Sequence, residues 1–114
     1  MRRFILLIAA AGALAVAQPA MAASFGELAE WCAPEASGGR PGLCSGYLET
    51  YIAALASKDE TANGGVRACV PEAADRAELQ SLLQAYAKKH PESAGEPGVE
   101  GLGHALQGRY PCPS

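Results

Sequence analysis

The sequence predicts a small all-α domain, a disulfide-stapled bundle of about four helices, and three observations predict it. Apolar residues recur at spacings of three and four in four separate segments, the period that places side chains on one face of a helix. No segment keeps the apolar–polar alternation of a strand over a useful length. Four cysteines in a chain of 114 residues, behind an N-terminal stretch with the form of an export signal, read as a framework of bridges.

The export signal comes first in the chain. Met1-Arg2-Arg3 is a positive start, Phe4 to Val16 is an uncharged apolar run, and Ala20-Met21-Ala22 is a small-x-small processing site. Residues 1–22 are therefore expected to be removed, leaving one domain over residues 23–114. A retained anchor is the weaker alternative, because the run is short of the roughly 20 residues a spanning helix needs and ends in Gln18-Pro19. Removal takes away Arg2 and Arg3 and no acid, so the net charge moves from −3 to −5. An acidic protein is a poor partner for nucleic acid or an anionic membrane surface and a mildly better one for a basic protein. The expected address is the periplasm, with no membrane association after cleavage.

The cysteines stand at Cys32, Cys44, Cys69 and Cys112, at successive spacings of 12, 25 and 43 residues. There is no C-x-x-C, and neither His90 nor His104 has finger-like spacing from a cysteine pair, so zinc and thioredoxin-type readings find no support. Three pairings are open. Cys32 with Cys44 and Cys69 with Cys112 is favoured, because the first pair brackets the Gly/Pro-rich turn of Pro34, Gly38, Gly39, Pro41 and Gly42. On the chain-entropy account the shorter loop would stabilise by roughly 3 kcal/mol and the longer by roughly 4.

Ser24-Phe25-Gly26-Glu27 has the S-x-x-E form of a capping box, and Phe25, Leu28, Trp31 and Cys32 share a face of the short helix that follows. Trp31 reads as core, with anchoring of a partner as its alternative. After a turn at Ala33 to Leu43, residues Cys44, Tyr47, Leu48, Tyr51, Ile52 and Leu55 mark a second amphipathic helix. Ser57 to Gly65 is polar, lacks periodicity and carries a turn signal at Asn63-Gly64, so it is expected as an exposed, protruding loop.

Asp75-Arg76-Ala77-Glu78 repeats the cap-and-glutamate pattern before Leu79, Leu82, Leu83 and Tyr86, the buried face of a third helix. Lys88, Lys89 and His90 suit the negative end of its dipole, and Pro91 forbids continuation. Glu92 to Gly98 reads as a Pro/Gly linker. Val99, Leu102, Ala105, Leu106 and Tyr110 then suggest a last helix, weakened by Gly101, Gly103 and Gly108 at up to about 1 kcal/mol each. Tyr110-Pro111-Cys112-Pro113 is an extended tail pinned by its cysteine.

Nothing in the chain assembles into catalytic machinery or calls for a cofactor. H-E-x-x-H, G-x-S-x-G and phosphate-cradling glycine loops are missing from the sequence, and His90 and His104 have as neighbours Glu92 and Glu100, which any acidic surface would supply. An exported, stapled, acidic domain of this kind works most economically by binding. The best handle is the Ser57–Gly65 loop, with Lys58, Asp59, Glu60 and Asn63 as the partner-binding candidates.

Cys44-Ser45-Gly46-Tyr47-Leu48, Cys69-Val70-Pro71 before a helix, Tyr86 with His90-Pro91-Glu92 at its end, Ala105-Leu106 and the final Tyr110-Pro111-Cys112 together resemble the Rap1a/Tai immunity protein family. The resemblance runs from Leu28 to Cys112. It departs at Thr50, where a small residue is usual, and in the glycine content of the last helix. It implies a periplasmic helical protein, often a homodimer, that binds and inhibits a peptidoglycan amidase effector delivered by type VI secretion. The runner-up is a periplasmic stress or chaperone-like helical protein without a toxin partner. Such proteins work by acid-triggered loosening, which two bridges would oppose.

Overall fold

The computed structural model describes residues 23–113. The export signal expected over residues 1–22 lies outside the described residues. The described chain contains five helices and no named strand.

The first helix, α1, spans Phe25–Trp31 and starts where the capping box predicts. The Ser24 hydroxyl accepts from the Glu27 amide at 3.1 Å, and the Glu27 carboxylate accepts from the Ser24 amide at 3.0 Å. Phe25 and Leu28 are buried. A 3-10 turn at Glu35–Ser37 follows and ends on Gly38, whose φ of 94° is open to glycine at little steric cost.

Helix α2, Pro41–Ala56, begins three residues before the expected position, with the end of the anticipated turn already inside it. Pro41 occupies the first turn, where its missing N–H would have had no helical acceptor. Cys44, Leu48, Tyr51 and Leu55 form its buried stripe. Cys32 bonds to Cys44, so the end of α1 is tied to the first turn of α2.

A one-turn helix α3, Glu60–Asn63, comes next. An irregular segment then leads to α4, Arg76–Lys89, capped by Asp75 and closed by the Lys88 and Lys89 turn. The stretch read as a linker is a second 3-10 turn, Pro91–Gly95, whose Ser93 is buried. The last helix, α5, spans Gly98–Leu106, shorter than the apolar spacing out to Tyr110 suggests. Tyr110 is buried beyond its end, and Cys112 bonds to Cys69.

Helix α5 is the central element, in contact with α1, α2 and α4. Its glycines explain how. A Cβ on Gly101 would run into the Phe25 ring, and one on Gly103 would stand 2.5 Å from Val66 Cγ1 and 2.8 Å from Leu55 Cδ2. The residues that weaken this helix in isolation let its neighbours come close enough to seal the core of Phe25, Leu28, Leu48, Leu55, Leu102 and Leu106.

Candidate functional site

The segment expected as a protruding, aperiodic loop is a compact turn clamped to the end of α2. Asp59 is the N-cap of α3 and Gly64, at φ 66°, its C-cap. The Asp59 carboxylate accepts from the Thr61 amide at 3.0 Å and from the Thr61 hydroxyl at 2.7 Å. These two bonds, the hydroxyl's first, hold its carboxyl below the usual aspartate value. The Asp59 amide donates in turn to the Ser57 hydroxyl at 3.0 Å.

Asn63 does not face solvent. It is 1% exposed, its amide group donates to the carbonyls of Ala54 and Ser57 at 3.0 and 2.9 Å, and its side-chain oxygen accepts from Gly65 at 2.9 Å. Arg67 adds bonds to the Ser57 and Ala56 carbonyls at 3.1 and 2.8 Å. A helix leaves its last carbonyls without internal partners. Here partners for the Ala54, Ala56 and Ser57 carbonyls come from Asn63 and Arg67 and that for Leu55 from the Ala68 amide at 3.2 Å, while Glu100 of α5 lies close to Gly64. Of the four candidates from the sequence, Lys58, Asp59 and Glu60 are exposed on this clamped base and Asn63 is part of the clamp.

Sequence reasoning placed Ser57 and Thr61 in this segment without a role, and missed Arg67. The signal was present: Asp-x-Thr ahead of Asn63-Gly64-Gly65 is a cap at one end and a left-handed stop at the other.

A shallow groove runs beside the last turns of α2, floored by Ile52, Val70, Ala74 and Leu79 and edged by Glu49 with Arg76 at 3.9 Å. Trp31 is half-buried, its ring 5.0 Å from that of Tyr47, and it lines a second depression with Pro34, Pro41 and Gln84. The histidines are elsewhere, His90 at 3.1 Å from Glu92 and His104 at 3.2 Å from Glu96, both around Tyr86. Neither has a nucleophile beside it in these contacts. Among the described residues no group of three His, Cys, Asp or Glu side chains could hold a metal ion, and every cysteine is in a disulfide.

Comparison with characterised proteins and with solved structures gives no significant match. The family described as Rap1a immunity proteins matches residues 24–112, from the N-cap of α1 to the last cysteine. The chain belongs to the Rap1a immunity protein family.

Proposed function

We propose that this protein is a periplasmic immunity protein that binds a peptidoglycan amidase effector of type VI secretion and occludes its active site. The observation that carries the reading is the clamped turn: Lys58, Asp59 and Glu60 are exposed on a base held by Asn63 and Arg67. Preorganisation matters for an inhibitor, because a segment already fixed in its bound shape loses less entropy on docking. Charged side chains displayed this way can enter a cleft, meet the catalytic groups and exclude the peptide substrate. Family membership supports an immunity role, and the sequence of residues 1–22 supports export, with cleavage after Ala22. The two disulfides suit an oxidising compartment. A homodimer belongs to the same reading and is checked by light scattering of the exported protein.

The test begins with the full chain expressed behind its own leader and recovered from the periplasm as bait for secreted cell-wall amidases. Stoichiometric capture of one amidase, with loss of its peptidoglycan hydrolysis, is expected. Asp59→Ala with Glu60→Ala should weaken that complex by at least about tenfold, the range of an interface hot spot. Retention of full affinity and inhibition in the double variant would move the contact away from the turn. Suppression of aggregation of unrelated proteins at low pH, with no amidase retained, would favour a chaperone-like role.

A further inference from the structure

Tyr51 lies in the middle of the core at 1% exposure, and its hydroxyl has no hydrogen-bond partner among the described residues. A buried hydroxyl without a partner is unusual, because its desolvation is left uncompensated. The hydroxyl sits where α5 begins. It and the carbonyl oxygen of Ala23 stand 3.0 and 2.9 Å from the point that a Cβ on Gly98 would occupy.

Ala23 is itself 6% exposed. Its carbonyl accepts from the Gly98 amide at 2.8 Å, and the Phe25 amide donates to the Glu96 carbonyl at 2.8 Å, so Ser24 and Pro97 form a short antiparallel bridge. The first residues of a domain are commonly loose unless something ties them down. Ala23, which directly follows the Ala20-Met21-Ala22 processing signal, is tied down beside an unpartnered phenol.

The chemistry of the Ala23 nitrogen depends on whether the chain has been cut. In an intact chain it is a peptide N–H, a single donor fixed in the amide plane that cannot accept the phenolic proton, and no hydrogen bond joins it to the Tyr51 hydroxyl. Hydrolysis of the Ala22–Ala23 amide by a signal peptidase adds water across the bond, leaving a carboxylate on Ala22 and a free amine on Ala23. A neutral amine accepts a phenolic O–H, and a protonated one donates to the phenolic oxygen. Such amines titrate near about 8, so both forms lie close to neutral pH. Glu27, whose carboxylate already takes the Ser24 amide, is the nearby acid that would balance the protonated form.

We infer that cleavage after Ala22 completes the core: the α-amine released at Ala23 is the partner of the buried Tyr51 hydroxyl, in a crevice that only glycine at position 98 leaves open. The inference rests on the export reading above.

The full chain, expressed behind its own leader and recovered from the exported fraction with its disulfides intact, is first weighed by mass spectrometry. The mass of residues 23–114 is expected, and any other start overturns the cleavage itself. The α-amine is then acetylated selectively and thermal midpoints are compared in the wild type and in Tyr51→Phe. Acetylation should lower the wild-type midpoint by about 4–8 °C, the scale of one lost interaction in a domain of this size, and leave Tyr51→Phe unmoved. A correct Ala23 start with no midpoint change, or with a fall that persists in Tyr51→Phe, overturns the pairing and leaves export standing. Should Tyr51→Phe fail to accumulate, the wild type alone decides. Its amine should react at least about tenfold more slowly in the folded protein than in the reduced, unfolded chain, and equal rates overturn the pairing.

Discussion

The hydroxyl of Tyr110 donates to the carboxylate of Glu78, joining the C-terminal tail to the first turn of α4. Glu78 occupies the position from which a capping box would reach back to the Asp75 amide. Its two oxygens are instead taken by Tyr110 and by Arg109, the latter at 3.7 Å, and Asp75 caps the helix alone by accepting from Ala77 at 3.2 Å. The Cys69 amide donates to the Tyr110 carbonyl at 2.8 Å. The tail is thus held by hydrogen bonds on two sides as well as by the Cys69–Cys112 bridge.

Two tyrosines make the fold sensitive to alkali. The bond to Glu78, with burial second, raises the Tyr110 hydroxyl above its ordinary value, and burial, then the nearby Tyr47 and Glu27, raises that of Tyr51. A group whose folded pKa is raised contributes stability that is whole below its unfolded value, about 10 for tyrosine, and is lost as pH rises through the folded value. The expected outcome is unfolding that sets in above about pH 10, with tyrosinate absorbance rising together with loss of near-ultraviolet dichroism. In Tyr110→Phe the neutral-pH midpoint should fall while the further loss in alkali becomes smaller. Complete tyrosine ionisation with the dichroism unchanged would contradict the raised values.

The turn after α2 separates a structural role from a contact role within a few residues. Asn63→Ala removes two donors from the Ala54 and Ser57 carbonyls and the acceptor of the Gly65 amide. The Ala54 carbonyl keeps the Ser57 amide and the Ser57 carbonyl keeps Arg67, so what is lost is three hydrogen bonds at about 1 kcal/mol each, a cost of about 2–3 kcal/mol. Glu60→Ala removes an exposed side chain and should change stability by no more than about 0.5 kcal/mol. Denaturant unfolding of both variants checks the contrast, and similar midpoints would show that the clamp is not what holds the turn.

Thr61 sets the acid limit of the same turn. Its hydroxyl is the first cause of the lowered Asp59 carboxyl, so Thr61→Val should move that carboxyl upward, as followed by NMR titration of Asp59. A lowered folded pKa gives stability that is present above the ordinary aspartate value, about 4, and is lost as pH falls through the folded one. Fraying of α3 should therefore begin at a higher pH in Thr61→Val than in the wild type. An unmoved Asp59 titration would mean that the hydroxyl bond contributes little in solution.

Most of the helical frame was legible because its signals are local. Ser24 with Glu27, the Cys44–Leu48–Tyr51–Leu55 stripe, and Asp75 with Pro91 each act within a few turns of chain. What was not legible depends on partners distant in sequence. Glu78 reads as half of a capping box until Tyr110 arrives from 32 residues away. Asn63 reads as an exposed turn residue until the carbonyls of Ala54 and Ser57 meet its amide. The α5 glycines read as flaws until Phe25, Leu55 and Val66 fill the space they leave. Rules of spacing carry no information about which side chains will be opposite.

Glycine can be tested in both directions by one chemical change. A methyl group on Gly46, in the interior of α2, would meet nothing within 4 Å, whereas one on Gly101 would enter the ring of Phe25. Gly46→Ala adds no clash and reduces the freedom of the unfolded chain, so it should stabilise by about 0.5–1 kcal/mol. Gly101→Ala must displace Phe25 or shift α5, and overpacking of this kind should cost about 1–3 kcal/mol. Thermal unfolding under oxidising conditions reads both, with the two midpoints expected on opposite sides of the wild type. If Gly101→Ala were neutral, Phe25 would have room to move and the close seating of α5 on α1 would not be what seals the core.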